Sequence, residues 1–136
     1  MESFALHLFL KKKEMKIFAY DFDGVVSIGV CPRYSDDVII TGRCQEEAPY
    51  VFEKLSEMGI STNVYFNQMT LAERGNHSVE ARVFSGKHKA KTIRELAEQG
   101  IIVERFFDDD EVQIAVIKQE HPDLDIVHIV SNLVEK

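Results

Sequence analysis

The sequence predicts a three-layer α/β domain with a mainly parallel central sheet. From Lys16 onward, short apolar runs rich in β-branched and aromatic residues alternate with stretches of helical period, the pattern of parallel strands joined by helical crossovers. The chain has 136 residues, of which 45% are hydrophobic, enough for one core with little left for a second. We therefore expect one domain at residues 15–136, preceded by an N-terminal extension at residues 1–14.

Five apolar runs have the length and composition of strands. They are residues 17–22, 38–41, 61–66, 103–107 and 126–130. The first of these is expected at the centre of the sheet, because it is apolar throughout.

Three helices are predicted between the strands, each with one apolar stripe that can pack on the sheet. The stripes are Val51, Leu55 and Met58; Ile93, Leu96 and Ala97; and Val112, Ala115, Val116 and Gln119. Gly59 and Gly100 are expected to end the first two helices, and His121-Pro122 the third. Residues 67–85 lack a regular pattern and predict a loop with one short strand at 81–84.

The extension contains an apolar stretch at residues 4–10, followed by three lysines. Glu2 precedes this stretch and no small-residue cleavage site follows it, so the order of residues is wrong for a secretory signal. Two interpretations remain open. The segment is either loosely attached, with Met15 opening the domain, or an added edge strand of the sheet.

The charge balance narrows the classes of partner. Sixteen Lys and Arg against 23 Asp and Glu give a net charge of −7, which opposes binding to long nucleic-acid backbones and to anionic membranes. No apolar run approaches the roughly 18 residues that span a bilayer. Cys31 and Cys44 lack metal-ligand spacing and predict free thiols in a reducing cytoplasm. The five histidines likewise show no spacing that suggests a zinc site.

The strongest chemical signal is Asp21-Phe22-Asp23-Gly24, directly after the first predicted strand. Ligands of open α/β sheets bind at the carboxyl ends of the strands, so both carboxylates are expected at the mouth of a site. Gly24 lets the chain turn sharply just afterwards. Taken alone, the pair is also compatible with a solvated strand end.

Three more polar groups occur at predicted element ends. Thr41-Gly42-Arg43 follows the second strand, Lys87, Lys89 and Lys91 are expected to open a helix, and Asp108-Asp109-Asp110 follows a later strand. Each has a simpler alternative: an Arg in a turn is as often structural as phosphate-binding, and an acidic helix start is favoured by the helix dipole.

In this order, the four elements resemble the motifs of the haloacid dehalogenase-like (HAD) superfamily of phosphohydrolases: DxD, then Thr or Ser, then Lys, then paired acids. The resemblance covers residues 16–130, and its specific parts are DxDGV and TGR. It is nearest to small capless members, including phage-type hydrolases and the phosphatase domain of polynucleotide kinase-phosphatase. It implies a Rossmann-like fold. A separate cap domain does not fit, because 17 residues separate Asp23 from Thr41 and 47 separate Thr41 from Lys89.

The resemblance also implies a role for each motif residue. Asp21 matches the catalytic nucleophile and Asp23 the general acid/base. A phosphate site would be formed by Thr41, Gly42, Arg43 and Lys89. The Mg²⁺ site would take Asp21, the backbone carbonyl of Asp23, Asp108 and Asp109, since hard oxygen ligands suit Mg²⁺ better than zinc.

Two assignments stay open at this point. Spacing favours Lys89 over Lys87 and Lys91 as the phosphate-site lysine, and the Asp108-Asp109-Asp110 triplet leaves its register undecided. The third acid of the triplet departs from the basic or small residue more common in the family.

The expected function is hydrolysis of a small phosphorylated metabolite or nucleotide. The alternatives are a nucleic-acid 3′-end phosphatase and a non-catalytic protein that binds a phosphorylated partner. Residues 67–88, with Arg82, Lys87 and His88, are expected to select the substrate, because this irregular stretch leads into the lysine helix. His77 is expected in the same loop.

Overall fold

The computed structural model describes residues 14–76 and 78–130, which form an α/β domain around a five-stranded parallel sheet. The strands are β1 (Met15–Tyr20), β2 (Val38–Cys44), β3 (Asn63–Asn67), β4 (Ile101–Asp108) and β5 (Asp125–His128). The helices are α1 (Ala48–Glu57), the short α2 (Leu71–Arg74), α3 (Val79–Glu98) and α4 (Glu111–Glu120). The predicted α/β class with a parallel central sheet is confirmed. The predicted extension falls almost wholly on residues 1–13, which lie outside the described residues, as does His77.

The strand order is β3-β2-β1-β4-β5, so β1 occupies the centre as predicted. Ala19 pairs with Val38 of β2 on one side and with Phe106 of β4 on the other. All four strand pairings are parallel. The carboxyl ends of β1, β2 and β4 therefore lie side by side at one edge of the sheet.

Two apolar clusters cover the two faces of the sheet. The cluster under α3 and α4 includes Ile17, Ala19, Ile40, Ile93, Leu96, Phe106 and Ile117. The cluster under α1 includes Tyr20, Phe22, Val25, Ile39, Val51, Leu55 and Phe66. Alternate residues of β1 thus face opposite cores, which is why this strand is apolar from Ile17 to Tyr20.

The helix that carries the lysines starts earlier than the sequence pattern predicts. The predicted loop at 67–85 and the strand at 81–84 are wrong, because α2 and the first turns of α3 occupy this stretch. Ser78 begins α3, and its hydroxyl accepts a hydrogen bond from the Ala81 N–H at 3.0 Å. Lys89 consequently lies in the middle of the helix rather than in its first turn.

The apolar faces of the helices also differ in part from the prediction. Met58, Ala97, Ala115 and Gln119 are exposed, whereas Ile117, which was left out of the predicted stripe, is fully buried. The face of α4 is set by its close approach to α3 as well as by the sheet. A Cβ atom placed on Gly86 of α3 would lie 2.9 Å from the Val116 Cβ atom.

The ends of the helices follow the predicted residues. Gly59 and Gly100 take positive φ angles of 73° and 84° after α1 and α3, and α4 ends before His121. Among the described residues, every helix is too short or too polar to cross a membrane.

We expect Gly86→Ala to lower the free energy of unfolding by about 1–2 kcal/mol, because overpacking where α3 meets α4 outweighs the better helix propensity of alanine. Urea denaturation measures the change. Lys87→Ala is the matched control on an exposed neighbouring position and should stay within about 0.5 kcal/mol of the parent. A Gly86→Ala variant as stable as the control would contradict the close contact.

Candidate active site

Three of the polar residues predicted from the sequence, Asp21, Lys89 and Asp108, meet at the carboxyl edge of the sheet. Asp21 directly follows β1, and its N–H donates to the Phe107 carbonyl oxygen of β4 at 2.8 Å. Thr41 lies in β2, Asp108 ends β4, and Lys89 reaches the same place from α3. The ends of β1 and β4 and the helix α3 thus contribute one side chain each to this contact.

Lys89 is the lysine that reaches the carboxylates. Its Nζ atom lies 3.1 Å from Asp21 Oδ1 and 2.9 Å from Asp108 Oδ2, and its side chain is 1% exposed. Lys87 and Lys91 are exposed to solvent. Burial alone would lower the pKa of Lys89, but the attraction of Asp108 and Asp21 outweighs burial and raises it. Lys89 is therefore an ammonium ion in the folded protein.

Asp21, Asp108 and Asp109 form a cluster of carboxylates. Each offers one oxygen atom, and these three atoms lie within 4.8 Å of one another. Burial raises the pKa of Asp21 well above its ordinary value; Lys89 opposes the rise, and Asp108 and Asp109 add to it. The pKa of Asp109 is also raised, chiefly by burial. When all three carboxyl groups are ionised, one ammonium leaves two of their negative charges uncompensated, and a divalent cation would neutralise them.

The donor chemistry of this cluster fits a hard cation. The three side chains supply carboxylate oxygens, the ligands that Mg²⁺ prefers over nitrogen and sulfur. Asp108 is held in place because its Oδ1 atom accepts the N–H groups of Asp109 and Asp110 at 2.8 and 3.2 Å. A metal ion at this cluster would lie next to the Asp21 carboxylate.

Gly24 leaves room for Asp109. A Cβ atom on Gly24 would lie 2.0 Å from Asp109 Oδ2, and the φ angle of Gly24 is +75°. Any other residue would meet both the Asp109 side chain and an unfavourable backbone conformation. The glycine after the two aspartates is thus explained by the close approach of the β4 end.

Asp110 has a different environment from the two acids before it. Its Oδ1 atom accepts the N–H groups of Val112 and Gln113 at the start of α4, and the carboxylate also pairs with Arg82, whose Nε lies 2.8 Å from Oδ2. Burial raises the pKa of Asp110, but the hydrogen bonds from Arg82 and from the start of α4 lower it overall. Of the three consecutive acids, Asp108 and Asp109 join the cluster and Asp110 caps a helix.

Thr41 and Gly42 bring β2 against α3. Thr41 is fully buried, and its Oγ1 atom accepts the Arg43 N–H at 3.1 Å. A Cβ atom on Gly42 would lie 2.5 Å from Ser85 Oγ. Glycine at this position therefore allows the helix that carries Lys89 to lie close to the strand end.

The Asp23 side chain does not join the three-carboxylate cluster. It is 51% exposed and forms a two-pronged ion pair with Arg43, with Nε to Oδ2 at 2.8 Å and Nη2 to Oδ1 at 2.9 Å. Arg43 also donates from Nη1 to Glu47 Oε1 at 3.0 Å. The sequence motif predicts Arg43 in the phosphate site, and no local pattern indicates its pairing with Asp23.

A cleft of about 420 Å³ opens above these groups. Its lining includes Asp21, Asp23, Arg43, Asp109 and Arg82, together with residues that the sequence motifs did not indicate: Glu47, Arg74, Asn76, Ser85 and Gln113. Of these residues, Arg74 could have been located from the sequence, because Thr70 and Glu73 form a capping box that starts α2, the helix that carries Arg74. Ser85 and Gln113 come from α3 and α4, whereas Glu47 lies in the turn before α1 and Asn76 in the segment between α2 and α3.

Two residues expected to select the substrate are not part of this lining. Lys87 is exposed elsewhere on α3. His88 lines a separate cavity with Tyr65, whose carbonyl oxygen lies 3.3 Å from His88 Nε2. Burial lowers the pKa of His88 to about 4, so the ring is neutral at pH 7. Of the three residues named for selectivity, the cleft contains Arg82.

No protein-family model, curated protein or solved structure matches this chain. The function of the site must therefore be inferred from its own residues and their geometry.

We expect Lys89→Met to destabilise the protein by about 3–5 kcal/mol at pH 7, because removing one partner of a buried ion pair leaves Asp21 and Asp108 without their counter-charge. Urea unfolding measures the loss. Lys87→Met and Lys91→Met are matched controls on exposed positions and should change stability by about 0.5 kcal/mol or less. Equal effects at all three lysines would contradict the buried contact.

We expect Mg²⁺ to raise the melting temperature, because a ligand that binds the folded state stabilises it, by about 2.7 kcal/mol at a hundred times its dissociation constant. Asp109→Asn should remove most of this rise. Asp110→Asn should keep it, because asparagine can still cap α4 and Asp110 lies outside the cluster. The rise should shrink as the pH falls through the raised pKa of Asp21, since protons compete with the cation. A rise that survives in Asp109→Asn would rule out this site.

Proposed function

We propose that this protein is a Mg²⁺-dependent phosphomonoester hydrolase of the HAD type that transfers the phosphoryl group to Asp21. The observation that carries the proposal is the buried contact of Lys89 with both Asp21 and Asp108, beside Asp109 and at the carboxyl edge of a parallel sheet. The four sequence motifs and their order support the same assignment.

We also propose that the domain has no separate cap. The described segments between the motifs support this, since they contain 3₁₀ turns, α1, β3, α2 and the start of α3. α1 and α3 pack on the sheet, and partly buried side chains of β3 pack into the two apolar clusters on the faces of the sheet. An open cleft follows, and the leaving group of the substrate would face solvent.

In the first step, a carboxylate oxygen of Asp21 attacks the phosphorus atom and the bond to the leaving oxygen breaks. Asp23 donates its proton to that oxygen. The Lys89 ammonium offsets the negative charge on Asp21 and on the transferring group, while the Thr41 hydroxyl offers a hydrogen bond to a phosphate oxygen. The product of this step is an alcohol and an aspartyl-phosphate.

In the second step, Asp23 takes a proton from water, and the water oxygen attacks the phosphorus atom of the aspartyl-phosphate. The bond to Asp21 breaks, inorganic phosphate leaves and Asp21 is a free carboxylate again. When bound at Asp21, Asp108 and Asp109, Mg²⁺ would neutralise the repulsion between the nucleophile and the phosphate.

For the substrate, we propose a small phosphorylated metabolite or nucleotide. The cleft supports a small molecule, since its volume of about 420 Å³ lies in the range of small-ligand pockets. Its lining holds five acids, Asp21, Asp23, Glu47, Asp109 and Asp110, against three arginines. With a net charge of −7 for the chain, this lining opposes a long polyanionic strand.

For the setting, we propose a reducing cytoplasm. Cys31 and Cys44 are both free thiols in the structure. Cys44 is buried, and burial raises its thiol pKa, so it is an inert core residue.

Asp21→Asn should abolish Mg²⁺-dependent hydrolysis of an aryl phosphate while the protein stays folded, because asparagine keeps the volume of the side chain and removes the nucleophile. Asp23→Asn should lower turnover of an alkyl phosphate by about 10²–10⁴-fold. Asp125→Asn, which breaks an exposed ion pair with Arg105, is the matched control and should retain full activity.

Undiminished turnover in Asp21→Asn would refute the mechanism. Inertness of the parent protein toward aryl phosphates, sugar phosphates, nucleotides and a 3′-phosphorylated oligonucleotide, with Mg²⁺ bound, would instead favour a non-catalytic phosphate-binding protein. Cleavage of the oligonucleotide far above the small molecules would make the protein a nucleic-acid 3′-end phosphatase.

A further inference from the structure

The carboxylate of Asp23 is held by one partner. Among the described residues, Arg43 is the donor of both hydrogen bonds that the Asp23 side chain accepts, at 2.8 Å and 2.9 Å to its two oxygen atoms. A planar guanidinium that meets both oxygens fixes the carboxylate plane as well as its position, which a single hydrogen bond does not do. Asp23 is half-exposed, so packing alone would leave its rotamer free.

Arg43 is itself fixed from other sides. Nη1 donates to Glu47 at 3.0 Å, and the guanidinium carbon lies 4.6 Å from the centroid of the Tyr50 ring. Glu47 is in turn anchored by the Cys44 N–H at 2.8 Å and by Arg74 at 3.3 Å. Three of the five guanidinium N–H groups of Arg43 are thus committed to protein carboxylates.

The contacts of Arg43 differ from those of Lys89, which the proposed mechanism assigns to the phosphate. Lys89 contacts the Asp21 nucleophile directly, whereas Arg43 contacts Asp23 and Glu47. A proton donor must be aimed to within a fraction of an ångström of the leaving oxygen to be effective. The pair of Arg43 and Glu47 provides a built support for that purpose.

We propose that Arg43 is a positioning residue, which aims the Asp23 carboxylate at the leaving-group oxygen and is not a ligand of the transferring phosphate. The proposal rests on the phosphohydrolase function above. It replaces the phosphate-binding role that the sequence motif suggested for Arg43. The leaving group of an alkyl phosphate needs a proton, whereas the phenolate of an aryl phosphate leaves without one. Cleavage of alkyl phosphates should therefore depend on Arg43 more than cleavage of aryl phosphates does.

The test compares Arg43→Gln with the parent on one alkyl and one aryl phosphate. Release of the alcohol in the first step, measured in a single turnover, should slow about 10–100-fold for the alkyl phosphate, and release of the phenol about threefold or less for the aryl phosphate, because general acid catalysis matters for the poorer leaving group. Hydrolysis of the aspartyl-phosphate, in which Asp23 acts as the base, should slow equally for both substrates. Arg43→Lys keeps the positive charge but cannot bind both carboxylate oxygens. Its rate on the alkyl phosphate should lie between those of the parent and of Arg43→Gln. In an Asp23→Asn background, Arg43→Gln should not slow the reaction further, since the residue that Arg43 positions is no longer an acid.

A second measurement does not depend on turnover. The affinity of Arg43→Gln for inorganic phosphate in the presence of Mg²⁺, measured by calorimetry, should stay within about twofold of the parent, whereas loss of a direct arginine–phosphate pair would weaken binding about tenfold or more. Arg105→Gln is the matched control, because Arg105 also pairs with an aspartate and lies over an aromatic ring. It should leave both measurements unchanged.

The outcomes separate this inference from the proposed function. Equal slowing of the first step on the two substrates, or a tenfold loss of phosphate affinity, would overturn the positioning role while the hydrolase function stands. A parent protein that neither turns over nor binds phosphate would overturn both.

Discussion

The buried contact of Lys89 with Asp21 and Asp108 is the interaction on which the rest of this site depends. An ammonium group this deeply buried requires counter-charges at hydrogen-bonding distance, and the ends of β1 and β4 supply them. The helix that carries Lys89 must also lie close to the sheet. Gly42 permits this, since a side chain there would collide with Ser85, one turn before Lys89.

Around this contact, the strand ends carry more acidic groups than basic ones. Lys89 compensates one charge, and Asp109 then adds a carboxylate next to Asp21. The space for Asp109 exists because Gly24 has no side chain. Three carboxyl groups around one ammonium favour the binding of a divalent cation, and the proposed phosphoryl transfer uses that cation and Lys89 together. Asp23 stands apart, paired with Arg43, and the proposed mechanism uses it there as the proton donor for the leaving group.

The sequence is sufficient for the α/β class and for the strand ends that carry Asp21 and Asp108, because both follow from apolar runs that end in polar residues. The start of α3 was missed, since Val83 and Phe84 resemble a strand and Ser78 is a weak cap signal beside Gly75. Spacing favoured Lys89, but burial distinguishes it from its neighbours. The pairing of Asp23 with Arg43 joins two strand ends and has no local signal, so it required the structure.

The central claim is that Asp21 accepts the phosphoryl group, and reductive trapping tests it most directly. Borohydride reduces an acyl phosphate to an alcohol, so protein mixed with Mg²⁺ and a phosphomonoester, then quenched with borohydride, should contain homoserine at position 21. Peptide mass spectrometry locates the change, and protein without substrate should remain unmodified. Rapid turnover without modification of Asp21, or modification of a different acid, would contradict the account.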